Sequence, residues 1–204
     1  MKVIVQNLQK RPSLASEIIE QHDPDAFLAQ EIDLRSERVT FGAHNTSRLG
    51  FGTAVYGKAE LTDVKLVTCP HAEFGGLIRK KTTVATMKGV QIVSFHGYNG
   101  QPFKSIPNLV DHVEAVLSVL TPGPALFAGD FNTWSQPHLD AVNAVMVAAG
   151  FLLVFSWPYP GRDFPLDHSF VRDVRLVKSS CYDCASDHRG AILELNVTGQ
   201  VGTG

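Results

Sequence analysis

Cysteine is scarce in this chain, with three among 204 residues. That is too few for the disulfide framework of a small secreted protein, and an odd number leaves at least one thiol unpaired within the chain. No apolar run reaches the ~18 residues of a membrane span. The amino-terminal MKVIVQNLQKRPS breaks at Gln6, too early for a signal-peptide core of ~7–15 apolar residues, so we read a cytoplasmic protein. Neither sign of charge dominates: 18 Lys+Arg stand against 20 Asp+Glu, a net charge of −2. The molecule as a whole therefore does not attract nucleic acid or an anionic membrane, and any phosphate binding must be local. No repeat, low-complexity block or linker divides the sequence. With 44% apolar residues the chain can bury a sizeable core, and we expect one domain over 1–198, a frayed tail over 199–204, and a monomer.

Apolar runs predict many strands and few helices. Val3–Val5 and Ala26–Ala29 read as buried strands, with a helix over Leu14–Gln21 capped by Ser13 and stopped at Asp23-Pro24 between them. Phe51–Tyr56, Val64–Val67, Leu77–Met87 and Val90–Phe95 carry β signals, the last two joined by a tight Lys88-Gly89 turn. Leu109, Val113, Val116, Leu117 and Leu120 mark one face of a helix over Ile106–Leu120. Ala125–Ala128 is a further strand, Leu139–Ala149 a helix closed by Gly150, and Phe151–Phe155, Leu166–Val171, Val174–Val177 and Ala191–Leu195 close the pattern. This mixture indicates a layered α/β protein without a regular βαβ repeat.

Run after run ends on a residue that binds cations or phosphate. VIVQN ends at Asn7, AFLAQE at Glu31, IVSFHGYN at His96 and Asn99, and ALFAGDFN at Asp130 and Asn132; PLDHSF holds Asp167, and ASDHRG holds Asp187 and His188. Ligands of layered α/β proteins collect where strand ends converge. Singly, each Asp or Asn is as well explained as a turn residue; together they supply carboxylates, amides and imidazoles. Asp130 and Asn132, two apart on an extended segment, share a side, Phe131 turns to the core, and Gly129 permits close backbone approach. His168, next to Asp167, would face away from it.

In that order, VIVQN, LAQE, FHGYN, GDFNTW, PLDH and SDHRG resemble the endonuclease/exonuclease/phosphatase superfamily from Val3 to about Leu195. The resemblance implies a four-layer α/β sandwich, two mostly antiparallel mixed sheets packed face to face with helices outside, and metal-assisted hydrolysis of phosphoesters. Carried onto this chain, it implies Glu31 and Asp187 as ligands of Mg²⁺, with Mn²⁺ as a substitute. Asp130 would orient or deprotonate the attacking water and Asn132 would hold the phosphate beside it. Asn7 and Asn99 would be further phosphate contacts. His188, paired with Asp167, would contact the phosphate, and His96 would be an acid for the leaving oxygen. Gln9 stands where many abasic-site endonucleases carry an acidic residue, which weighs against that specificity.

A phosphodiester substrate follows, with a nuclease acting on DNA placed first. A phosphatase or phosphodiesterase on small-molecule, inositol or lipid-headgroup phosphates, a non-catalytic module and a partner-regulated effector remain open. Arg79-Lys80-Lys81 is the only cationic triplet; in a strand Arg79 and Lys81 would share a face, which could touch a polyanion or be a solvated edge. Trp157 and Tyr159 could stack on a base or pack over a sheet end. Cys69, His71, Cys181 and Cys184 could complete a structural zinc site, form a redox-sensitive disulfide, or be plain loop residues.

Overall fold

Period-two alternation sorts the strand residues onto two opposed faces, and two such sheets bury them. The computed structural model describes residues 1–101, 104–162 and 164–196, so the tail expected at 199–204 lies outside the described residues. Its elements run β1 (Lys2–Asn7), α1 (Leu14–His22), β2 (Ala26–Asp33), β3 (Ala43–Thr46), β4 (Phe51–Gly57), β5 (Thr62–Thr68), β6 (Lys81–Met87), β7 (Val90–His96), α2 (Ile106–Leu117), β8 (Ala125–Asp130), α3 (Gln136–Ala148), β9 (Leu152–Trp157), β10 (Asp167–Arg172), β11 (Arg175–Tyr182) and β12 (Gly190–Asn196). They form two six-stranded sheets, ordered β11-β12-β1-β2-β4-β3 and β5-β6-β7-β8-β10-β9. Each sheet is antiparallel except for one parallel pair, β1 with β2 and β7 with β8. A parallel pair needs a crossover, and α1 and α2 supply them, each lying on its own sheet.

The layers show in the packing. Val3, Val5 and Leu28 of the first sheet meet Ile92, Leu126 and Ala128 of the second in the central core. The alternate residues Ile4 and Phe27 pack outward on Leu14 and Ile18 of α1. Val93, Phe95 and Phe127 pack outward on Leu109 and Val113 of α2 and on Val142 and Met146 of α3. The result is the four-layer sandwich, helix–sheet–sheet–helix. Among the described residues no helix is long and apolar enough to cross a membrane.

Local departures from the sequence reading have physical causes. Ser13 sits in the left-handed region (φ 61°) and its side chain makes no cap; Glu37 instead faces the backbone N–H groups of Ala15 and Ser16 in the first turn of α1. The strand expected from Leu77 begins only at Lys81, because Phe74–Gly76 turns through positive φ at Gly75 and Gly76 and leaves Leu77 86% exposed. Arg79 and Lys81 therefore do not share a strand face: Arg79 donates to the carbonyls of Cys69 and Pro70 outside β6. β3, AHNT, was invisible to a hydrophobic pattern, since its inward Asn45 is polar and donates to the carbonyls of Val67 (2.8 Å) and Thr82 (3.1 Å). α3 starts three residues before Leu139 because Pro137 fits the first helical turn. The Lys88-Gly89 turn joins β6 and β7 with both residues at positive φ, as a tight hairpin requires.

Candidate active site

The two parallel pairs bring four carboxyl-terminal strand ends to one end of the sandwich. In the second sheet the register sets His96 of β7 and Asp167 of β10 on either side of Asp130 of β8. In the first, Asn7 ends β1 opposite Gln30 of β2, and Glu31 occupies a bulge after Gln30 with φ 49°. A bulge re-aims one side chain out of the strand's alternation. The sheets are stitched there: Gln30 Nε2 donates to Ser94 Oγ at 3.0 Å, and Asn7 Nδ2 donates to Asp130 Oδ2 at 3.1 Å. Gly129 lets β8 run this close to β7, since a Cβ at its φ of 143° would lie 2.1 Å from the Phe95 carbonyl oxygen.

Contacts between these side chains form a continuous path. Glu31 Oε1 lies 3.7 Å from His96 Nε2, which lies 3.6 Å from Asp130 Oδ2. His188 Nε2 lies 3.8 Å from the same Asp130 oxygen, and its Nδ1 meets Asp167 Oδ2 at 2.8 Å. Asp130 Oδ1 accepts the backbone N–H of Asn132 at 2.9 Å, and Asn132 Nδ2 donates to the Gly97 carbonyl at 3.1 Å, tying the ends of β8 and β7 together. Phe131 between them is fully buried against Phe95, Phe127 and Phe170. His168 faces away, held by Thr133 Oγ1 (2.6 Å) and Ser156 Oγ (2.7 Å).

Electrostatics divides the two site histidines. Burial penalises a charged ring at His188, but Asp167, Asp130 and Asp187 outweigh it and push its pKa up to about 10, so the ring is cationic at neutral pH. Burial raises Asp167, and the charge of His188 opposes that rise. At His96 burial and the Lys80 ammonium hold the pKa well below its ordinary value. Lys80 Nζ lies 2.6 Å from His96 Nε2. A lysine ammonium only donates, so in this contact the imidazole nitrogen accepts.

Asn99 and Asp187 stand at the rim. The Asn99 side-chain oxygen accepts from Trp134 Nε1 at 2.9 Å and from Lys104 Nζ, while its backbone N–H donates to Glu73 at 2.6 Å. Asp187 is exposed and accepts from the Tyr159 hydroxyl at 3.3 Å. Tyr159 sets its ring edgewise to His188, centroids 4.7 Å apart. Trp157, in contrast, is 1% exposed and donates to the Arg189 carbonyl, so it stacks in the core and on no ligand.

The sequence reading did not single out Glu73, Gln6 and Ser186, and it placed Lys80 in a basic triplet on a strand edge. Gln6 Nε2 donates to the His188 carbonyl at 3.1 Å, and Ser186 Oγ takes the His188 backbone N–H at 3.1 Å while donating to the Asn7 carbonyl at 2.6 Å. These bonds dock the SDH turn onto the end of β1. Only position could have flagged Gln6 and Ser186, each one residue or two from a singled-out residue.

Among the described residues, no group of three or more His, Cys, Asp and Glu side chains is arranged to hold a metal. The zinc grouping is thus absent: His71 bonds Asp111 at 2.6 Å, and Cys184 donates to Gln6 and to the His188 carbonyl. Mg²⁺ asks less of a protein, one or two carboxylates with waters and substrate phosphate. Glu31 meets that requirement. Glu31 lines a cavity of about 250 Å³ with Lys80, His96 and Asn99, and its carboxylate lies 3.7 Å from His96 Nε2 and 3.8 Å from Lys10 Nζ.

Residues 5–188 match the model of the Endonuclease/Exonuclease/phosphatase family. A UPF0294 protein of Vibrio vulnificus is 37% identical over 81 residues, 37% of this chain and 28% of its own length. The matched segment is thus under a third of that curated relative. An endonuclease/exonuclease/phosphatase from Bacteroides vulgatus superposes with a TM-score of 0.72 at 14% identity, covering 96% of this chain and 98% of its own. D. rerio TDP2, complexed with a single-strand DNA product, superposes with a TM-score of 0.68 at 15% identity, over 96% and 98% of the two chains. At these identities the likeness is one of fold.

Proposed function

From the premise that this chain belongs to the endonuclease/exonuclease/phosphatase family, of phosphoester hydrolases, we propose that it is a Mg²⁺-dependent phosphodiesterase acting on nucleic acid. The observation that carries this reading is the placement of Asp130. Both its oxygens are held, by Asn7 across the sheets and by the Asn132 backbone, with the cationic His188 on one side and His96, then Glu31 beyond it, on the other. A carboxylate so fixed is suited to orient a water and accept its proton. His188, kept cationic by Asp167, attracts the phosphate, and the amides of Asn7, Asn99 and Asn132 supply neutral donors around it.

Glu31 would hold the divalent ion, with Asp187 on the opposite side of the cleft. When bound, that ion neutralises charge on the phosphoryl oxygens. The preference for nucleic acid rests on the cations Lys10, Arg79, Lys80 and Lys81 around the cavity at Glu31, which suit a chain of phosphates, and on the DNA-bound state of the structurally similar TDP2.

The test is cleavage of a single-stranded oligonucleotide by the purified chain in Mg²⁺, compared with Glu31→Gln. The wild type should cleave, stop in EDTA, and resume when Mg²⁺ is restored. Glu31→Gln should need about tenfold more Mg²⁺ for half-maximal rate, in line with weakening one ligand. No cleavage of any phosphodiester by the wild type contradicts the reading, and an unchanged Mg²⁺ titration removes Glu31 from the ion.

A further inference from the structure

Lys80 belongs to a basic triplet that looks like solvated edge, yet its ammonium points into the cleft. It lines the same cavity as Glu31, His96 and Asn99 and is half-buried there. Its one hydrogen bond among the described residues is to His96 Nε2, at 2.6 Å. Because the ammonium carries three N–H groups, two remain for a ligand in the cavity. The sheet order places it: Lys80 precedes β6, His96 ends β7, Asp130 ends β8 and Asp167 begins β10, and these strands are consecutive neighbours. Asp130 therefore lies between two donors, the His188–Asp167 pair on one side and the Lys80–His96 pair on the other. A water-activating carboxylate needs a counterpart that protonates the departing oxygen, and of the two pairs only Lys80–His96 opens into the cavity beside Glu31.

We propose that Lys80 is the proton donor to the leaving oxygen, with His96 as the residue that positions it. This rests on the phosphodiesterase reading above. As the water oxygen bonds to phosphorus, the bond from phosphorus to the leaving oxygen breaks. The water's proton passes to Asp130 and a proton from the Lys80 ammonium passes to the leaving oxygen. Exchange with solvent reprotonates Lys80 and deprotonates Asp130, so no further reactant is consumed. His96 accepts one N–H of the ammonium and so fixes the direction of the other two.

The experiment compares two esters in Mg²⁺: single-stranded oligothymidylate, whose alkoxide leaving group needs a proton, and bis-p-nitrophenyl phosphate, whose p-nitrophenolate leaves without one. Lys80→Met should lose about 100-fold or more on the oligonucleotide, the scale of general acid catalysis, and under about fivefold on the nitrophenyl ester. Lys80→Arg, which keeps the charge but does not deprotonate, should be as slow as Lys80→Met on the oligonucleotide. Equal losses on both esters, an unchanged oligonucleotide rate, or rescue by arginine each overturns the proposal while wild-type cleavage upholds the parent reading. A wild type inactive on both esters ends the parent reading and this one together.

Discussion

Two histidines that look alike in sequence work on opposite faces of the second sheet. His168 is fully buried and satisfies two hydroxyls, whereas His188 sits against Asp130 and Asp167. Removing His168 empties a fully buried site and takes one partner each from Thr133, which keeps the Pro165 carbonyl, and from half-buried Ser156, at a cost of about 1–3 kcal/mol, and it reaches no residue of the site's contact path. We therefore expect His168→Ala to lower the thermal midpoint by several degrees with kcat within about threefold of wild type on the folded fraction. His188→Ala should cut kcat by about 100-fold or more. Melting curves and initial rates on both variants check this, and the reverse pattern would exchange their roles. The difference was legible from strand alternation alone, because Asp167 had already been singled out for the site. Lys80 was not legible. Whether a basic triplet lies on an edge or enters a cleft depends on where β6 begins, and the Gly75-Gly76 turn sets that.

Among the elements, α1 shows how a helix end can be supported from outside its own sequence. Ser13 was the natural cap by residue type, but its left-handed backbone takes the hydroxyl out of position. Glu37, from the segment after β2, stands there with Oε2 lacking any partner. Burial pushes its pKa up to about 7, against the pull of the Ala15 and Ser16 N–H groups. A carboxyl raised in the folded state stabilises fully below its unfolded value and loses that contribution as pH rises through 7. Glu37→Gln should therefore melt above wild type at pH 8, with the gap closing towards pH 5. A gap that widens on acidification would mean that the charged form is the favoured one. The strands were easier to anticipate than the caps. Apolar runs bounded β1, β7 and β8 to within a residue or two, the run at Ala26–Ala29 stopped four residues short of the end of β2 at Asp33, and polar β3 and the Phe74–Gly76 turn left no hydrophobic signature.

For the molecule as a whole, the feature that matters is a repeated construction. Each sheet carries one parallel pair crossed by a helix, and both pairs end at the same edge of the central core. That repetition brings residues as far apart in sequence as Asn7 and Asp130 to 3.1 Å. The motifs ending successive apolar runs made this convergence readable in outline, since ligand-type residues at strand ends gather when the strands do. The sequence was silent on which contacts lock the two sheets together, such as Gln30 with Ser94, because a buried amide and a buried hydroxyl carry no pattern. With a net charge of −2, any attraction for a polyanion must be local.

The claim beneath all of this is that one carboxylate, gripped from both sheets, activates water for phosphodiester cleavage. The direct measurement is kcat for Asp130→Asn on bis-p-nitrophenyl phosphate in saturating Mg²⁺, with the melting temperature recorded alongside. We expect a loss of about 10³-fold, within the 10²–10⁴ range of acid–base catalysis, and a fold that melts within a few degrees of wild type. A variant that keeps most of the wild-type rate would contradict the account.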